Sequence, residues 1–152
     1  MKKYEFTGET KRVELWNRTA TLHRIKATVE FGFVKVGELG GWIEKEENLS
    51  HEGKAWVWGN AKVCGDAEVW GNAEVFLASH VLVMGSVGSR NDFTTFFRDK
   101  DNEITVKCGC FLGKIDKFLE KVTQTHGNNK YALVYRAAVE VAKLQIELTE
   151  RK

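Results

Sequence analysis

The chain has 152 residues, 43% of them hydrophobic and 29% charged, values that suit one domain or two small ones and exclude a disordered chain. Twenty-three basic residues against 21 acidic ones leave a net charge of +2, which gives no general reason to expect nucleic acid or an anionic membrane surface as a partner. No apolar run approaches the roughly 20 residues of a membrane-spanning helix, the first residues carry no leader-like apolar stretch, and the three cysteines cannot all pair within the chain. These features lead to the expectation of a cytoplasmic protein with reduced thiols and with neither a cofactor nor a metal.

The first predicted elements are two strands, Tyr4 to Thr10 and Leu22 to Ala27, whose alternation suggests a hairpin. Phe31 to Val36 reads as a third strand, so residues 1–36 are expected to form a strand cap on one end of the repeat region.

That repeat is the main signal. Val57, Val63, Val69, Val75, Val81 and Val87 recur at intervals of six. Two positions ahead of them stand Ala55, Ala61, Ala67, Ala73, Ser79 and Gly85, all small. Gly59, Gly65 and Gly71 come two positions after the first three valines, each with Asn60, Asp66 or Asn72 behind it. The unit A-x-V-x-G-N/D reads as a short strand with Ala and Val on one side, then a corner of residues that tolerate positive φ. Three corners would close a triangular coil of roughly 18 residues, so residues 37–90 are expected to form a short left-handed β-helix. Gly37 to Ser50, with Ile43 and Leu49 six apart, reads as an irregular first coil.

On such a coil Trp58 and Phe76, 18 residues apart, share one outward face, Cys64 and Leu82 a second, and Trp70 and Gly88 a third; Trp56 also points outward. Large apolar groups in outward columns mark contact surfaces. The columns Trp56, Trp58, Trp70, Phe76 and Leu82 are thus read as an interface, of a homotrimer built on the triangular prism or of cover by the chain's own ends. An aromatic platform for a ligand is the alternative.

Beyond Gly88 the repeat stops. Phe93–Arg98 and Glu103–Cys108 flank Asp99-Lys100-Asp101-Asn102, a turn signal, and predict a hairpin. Ile115, Phe118, Leu119 and Val122 predict a helix ending near Gly127; Tyr135, Ala138, Val139, Ala142 and Ile146 predict a second. Residues 91–152 are therefore expected to be a ββαα module.

The run Leu39-Gly40-Gly41-Trp42-Ile43-Glu44-Lys45-Glu46-Glu47-Asn48-Leu49-Ser50, leading into the Ala-x-Val-x-Gly-Asn units, resembles small phage and prophage proteins with hexapeptide repeats, most of them uncharacterised and some called transferases. The likeness covers residues 1–88. It implies a viral origin and a solenoid, and a binding protein of counter-defence or regulatory type, acting on a host protein or sequestering a small anionic ligand.

Candidate chemistry is thin. His80 is the only histidine in the repeat and would be the general base if the chain were a reduced hexapeptide acyltransferase; a surface or interface histidine is the plainer reading. Cys108, Cys110 and His126 offer three zinc-type ligands without a fourth. Ser89, Arg90 and Asn91 lie in a glycine- and serine-rich joint that would present N–H groups and a guanidinium to an anion, with Arg98 and Lys107 on the neighbouring hairpin. No P-loop, dinucleotide fingerprint or Ser-His-Asp order is present.

Overall fold

A computed structural model describes residues 2–88 and 92–148. Strand β1 (Tyr4–Glu14) and β2 (Thr19–Ala27) form an antiparallel hairpin whose register shifts between Phe6 and Thr10, around Gly8 at φ +95. β1 is a long edge, and its bulge and its charged residues (Glu5, Glu9, Lys11, Arg12) blunt it against pairing with another chain. The predicted strand at Phe31–Val36 does not form; Phe31 and Val34 make a single antiparallel bridge around a turn.

β3 (Leu39–Ile43) pairs antiparallel with β2 and, on its other edge, parallel with β5 (Lys62–Val63). β4 (Trp56–Val57) pairs parallel with β6 (Glu74–Val75), and Leu49 bridges Val69 in the same sense. The valines and alanines of the repeat do turn inward: Val57, Val63, Val69, Val75, Ala55, Ala61, Ala67 and Ala73 lie in one core cluster. Gly59, Gly65 and Gly71 turn the corners at φ 58–67.

The left-handed β-helix expected for residues 37–90 is nevertheless overturned. The strands fall into three separate sheets, none of which closes or continues as a solenoid. The reason lies in the short ladders and the early exit of the chain. Two-residue strands give each layer only one or two steps of pairing, and the antiparallel β1–β2 hairpin occupies the outer edge of β3. After Val75 a 3-10 turn at Ala78–His80 sends the chain away, so Val81 and Val87, which keep the period of six, belong to a different sheet.

That sheet runs in the order β10-β9-β8-β7, all antiparallel, from β7 (Val81–Val87), β8 (Asp92–Arg98), β9 (Ile104–Cys108) and β10 (Phe111–Lys114). The expected hairpin is present as β8–β9, and Asn102 at φ 57 closes its turn. Asp99 organises that turn: its carboxylate accepts the N–H groups of Asp101 and Glu103, the Thr105 hydroxyl at 2.7 Å and the Lys114 ammonium at 3.1 Å. The module thus has four strands where two were expected, one of them recruited from the end of the repeat.

Helices α1 (Ile115–His126) and α2 (Lys130–Gln145) cover one face of this sheet. Gly127 at φ 61 ends α1, and the Asn129 side chain accepts the Ala132 N–H at 3.1 Å to start α2. β8 serves two cores. Phe96 packs with Phe118, Tyr135 and Val139 on the helix side, and Phe97 packs with Val57, Val63 and Val75 on the repeat side. Both rings are fully buried. Among the described residues no helix is long and apolar enough to cross a membrane.

Candidate functional site

Between the β9–β10 hairpin and the two helices of the C-terminal module lies a half-open cavity of about 140 Å³. Its walls are aromatic because the local elements aim four rings inward. Phe111 opens β10, Phe118 and His126 lie on α1, and Tyr135 faces them from α2. Phe118 meets Tyr135 edge to face at 5.6 Å and Phe111 at 5.5 Å, while His126 stacks on Tyr135 at 5.9 Å. Such contacts fix ring positions beyond what burial alone does. The rim is polar: Lys121 and Thr125 are exposed on α1, and Asp92 stands at the start of β8. Lys121 makes no ion pair among the described residues.

Cys108 and Cys110 border the same cavity as His126, so the three zinc-type candidates do share one site. The Cys108 thiol accepts a hydrogen bond from the Thr94 hydroxyl at 3.2 Å, and Cys110 is exposed. Among the described residues no group of three His, Cys, Asp or Glu side chains is gathered to hold a metal ion.

The anion-site candidates separate. Ser89, Arg90 and Asn91 lie outside the described residues. Arg98 is engaged in structure: it donates to the Asn102 side chain and the Glu74 carbonyl, both at 3.0 Å, and lies over the Phe76 ring at 5.2 Å. Lys107 pairs with Glu68 at 3.3 Å, donates to the Gly109 carbonyl and covers Trp70. Neither cation borders the cavity.

The predicted contact columns are packed in part by this chain itself, while Phe76 stays 42% exposed. Trp58 and Phe76 stack at 4.7 Å, so their spacing of 18 does bring them together, with Arg98 against Phe76. Trp70 lies under Lys107, and Leu82 packs against the helix-side core. Trp56 is not outward at all: it is fully buried beside Tyr4 and Phe31. Gly40 makes that possible, since a Cβ there would come within 2.6 Å of the Trp56 ring and 2.8 Å of the Val57 carbonyl.

His80 is only 3% exposed, and its ring is committed. Nδ1 accepts the backbone N–H groups of Phe76 at 3.1 Å and Leu77 at 3.2 Å. Burial first, and the Arg98 charge second, hold its pKa below the usual histidine range. Asn48 plays the same part in the preceding 3-10 turn, Glu46–Asn48: its Oδ1 accepts the Glu44 and Lys45 N–H groups at 3.1 and 3.0 Å, and its amide donates to the Gly65 and Ala67 carbonyls. His80 is therefore a turn staple with no free lone pair to activate an acceptor.

The cavity went unread in the sequence. The available signal was the recurrence of Phe111, Phe118, Thr125 and His126 on one side of a strand and helix, facing the aromatic Tyr135. A scan against models of protein families matches none, and no curated protein matches the chain.

Proposed function

We propose that this protein acts by binding, and that the cavity between β9–β10 and the helices takes a small molecule carrying one planar ring system and a negative charge. The carrying observation is the aromatic cavity itself. Its volume of about 140 Å³ matches a single ring or base, since apolar cavities of about 150 Å³ accept benzene. Lys121 at the rim, without an ion-pair partner among the described residues, supplies attraction for an anionic substituent. Asp92 at the same rim opposes a second negative group close to it.

Combined with the resemblance to phage and prophage repeat proteins, the reading is of a cytoplasmic counter-defence or regulatory factor that sequesters its ligand. The acyltransferase reading has no comparable support, because its base would be His80, which is 3% exposed with Nδ1 held by two backbone N–H groups of the turn.

The test is native mass spectrometry of protein purified gently from bacterial cells, then calorimetric titration with adenosine and guanosine monophosphates and their cyclic forms. Thr125→Trp, an exposed helix position at the rim, should block the cavity without disturbing the core, and Lys121→Glu should weaken binding by about tenfold or more. An adduct that survives Thr125→Trp, or no binding in either assay, overturns the assignment.

A further inference from the structure

A second hollow, separate from the aromatic cavity, lies where three segments of the chain meet; it is half-open and holds about 360 Å³. That volume falls in the range of small-molecule pockets, which starts at about 300 Å³. The half-buried indole of Trp58 lines it, fixed by stacking on Phe76 at 4.7 Å, and the Arg98 guanidinium lies 5.2 Å from the Phe76 ring centre. Asn72 and Glu74 join from the repeat, Lys100 and Asp101 from the β8–β9 turn. These two walls are tied together: the Lys100 N–H donates to the Asn72 carbonyl at 2.9 Å, and Ala73 bridges Asp99. The third wall is the tight turn between Phe31 and Val34, with Gly32 at φ +53 and Phe33 89% exposed, beside Lys54.

We propose that this hollow binds an uncharged sugar ring. Charge argues against an ion. Lys54 and Lys100 face Glu74 and Asp101, and the groups paired with the last two are Arg98 and Lys114, with Asp99 and Glu103 on Lys114. Four cations thus stand against four carboxylates, so neither sign of ligand gains from the local field. Hydrogen-bonding chemistry narrows the class further. The carboxylates only accept, the ammonium groups only donate, and the Asn72 amide does both. A hydroxylated ring uses all three, because each of its hydroxyls donates and accepts. Its C–H face suits the electron-rich face of an indole. The ion pairs and the Trp58–Phe76 stack hold the site in shape before a ligand arrives, which lowers the ordering cost. A single ring is small, so dissociation constants of about 1 mM are expected.

Saturation-transfer NMR of the full chain with glucose, galactose, mannose and N-acetylglucosamine, each at millimolar concentration, reads the proposal. At least one should take up saturation on its C–H protons. Trp58→Leu should weaken that sugar about tenfold. Phe33→Ala and Asn72→Ala, both at exposed side chains, should weaken it several-fold while circular dichroism shows an unchanged fold, so the test survives if Trp58→Leu fails to fold. Thr125→Trp, in the other cavity, should leave it unaltered. No saturation of any of the four sugars, undiminished binding in Phe33→Ala and Asn72→Ala, loss of binding in Thr125→Trp, or saturation of adenosine alone would each overturn the proposal.

Discussion

Replacing His80 isolates the chemistry of the turn that ends the repeat. His80→Ala removes the one acceptor that serves two backbone N–H groups, those of Phe76 and Leu77. Each buried polar group left without a partner costs about 1–3 kcal/mol, and the vacated ring volume adds a cavity term. The site is almost fully buried, so His80→Ala should destabilise by about 3–5 kcal/mol. His80→Asn should cost only about 1–2 kcal/mol, because Asn48 shows that an amide oxygen accepts the two N–H groups at the equivalent positions, those of Glu44 and Lys45, at 3.0–3.1 Å. Urea denaturation monitored by tryptophan fluorescence gives both differences from the midpoints, provided the slope m is unchanged. His80 also makes stability depend on pH. Its folded pKa is lowered, so the unfolded chain binds the extra proton and stability falls as pH drops through about 6.5, the unperturbed value. His80→Asn should lack that share of the acid loss. If alanine were tolerated to within about 0.5 kcal/mol, or asparagine were as damaging as alanine, the staple argument would fail.

Lys3 is buried with its ammonium donating to the Ala55 carbonyl at 2.7 Å and lying over Phe31, and burial lowers its pKa to about 8. Lys3→Met should therefore raise stability at pH 7 by about 1–2 kcal/mol, desolvation of the charge outweighing one lost hydrogen bond. The parent should gain on the variant as pH rises from about 8 toward 10.5, where the folded protein releases the proton first; thermal melts across that range check it. Gly40→Ala should cost about 3 kcal/mol or more, since its new methyl meets both the Trp56 ring and a backbone oxygen. Gly59→Ala, at φ +58 in open space, should cost only about 1–2 kcal/mol, and the two midpoints in one urea series separate close approach from backbone strain. Bound ligand in the cavity at a hundred times its dissociation constant should stabilise by about 2.7 kcal/mol, and Thr125→Trp should abolish that shift in a melt.

Features set by near neighbours were legible in the sequence. Asp99-Lys100-Asp101-Asn102 announced the β8–β9 turn, Gly127 the end of α1, and the 18-residue spacing the stack of Trp58 on Phe76. What failed depended on distant partners. Val81-Leu82-Val83-Met84 continues the valine period and also alternates as an ordinary strand does; only the presence of β8 decides for the sheet. Counting from Val57 places Trp56 outward, but the space for its ring is provided by Gly40, on another strand. The cavity depends on α2 returning Tyr135 against α1 and on Gly88, where a Cβ would collide with the Tyr135 hydroxyl. No pattern within one segment encodes those approaches.

The placement of Phe96 and Phe97 on opposite sides of β8 bears on how this molecule comes apart. The end of the repeat looks in sequence like a place to cut, yet a chain stopped at His80 would lose Phe97 and leave the valines of the repeat facing water. One stopped before α1 keeps that wall and exposes the other side of it, where Phe96 and Val106 lie. Neither boundary is a clean seam, because β8 walls both cores. In hydrogen exchange the amides of β8 and β9 should be the last to open, and both cores should melt in a single transition.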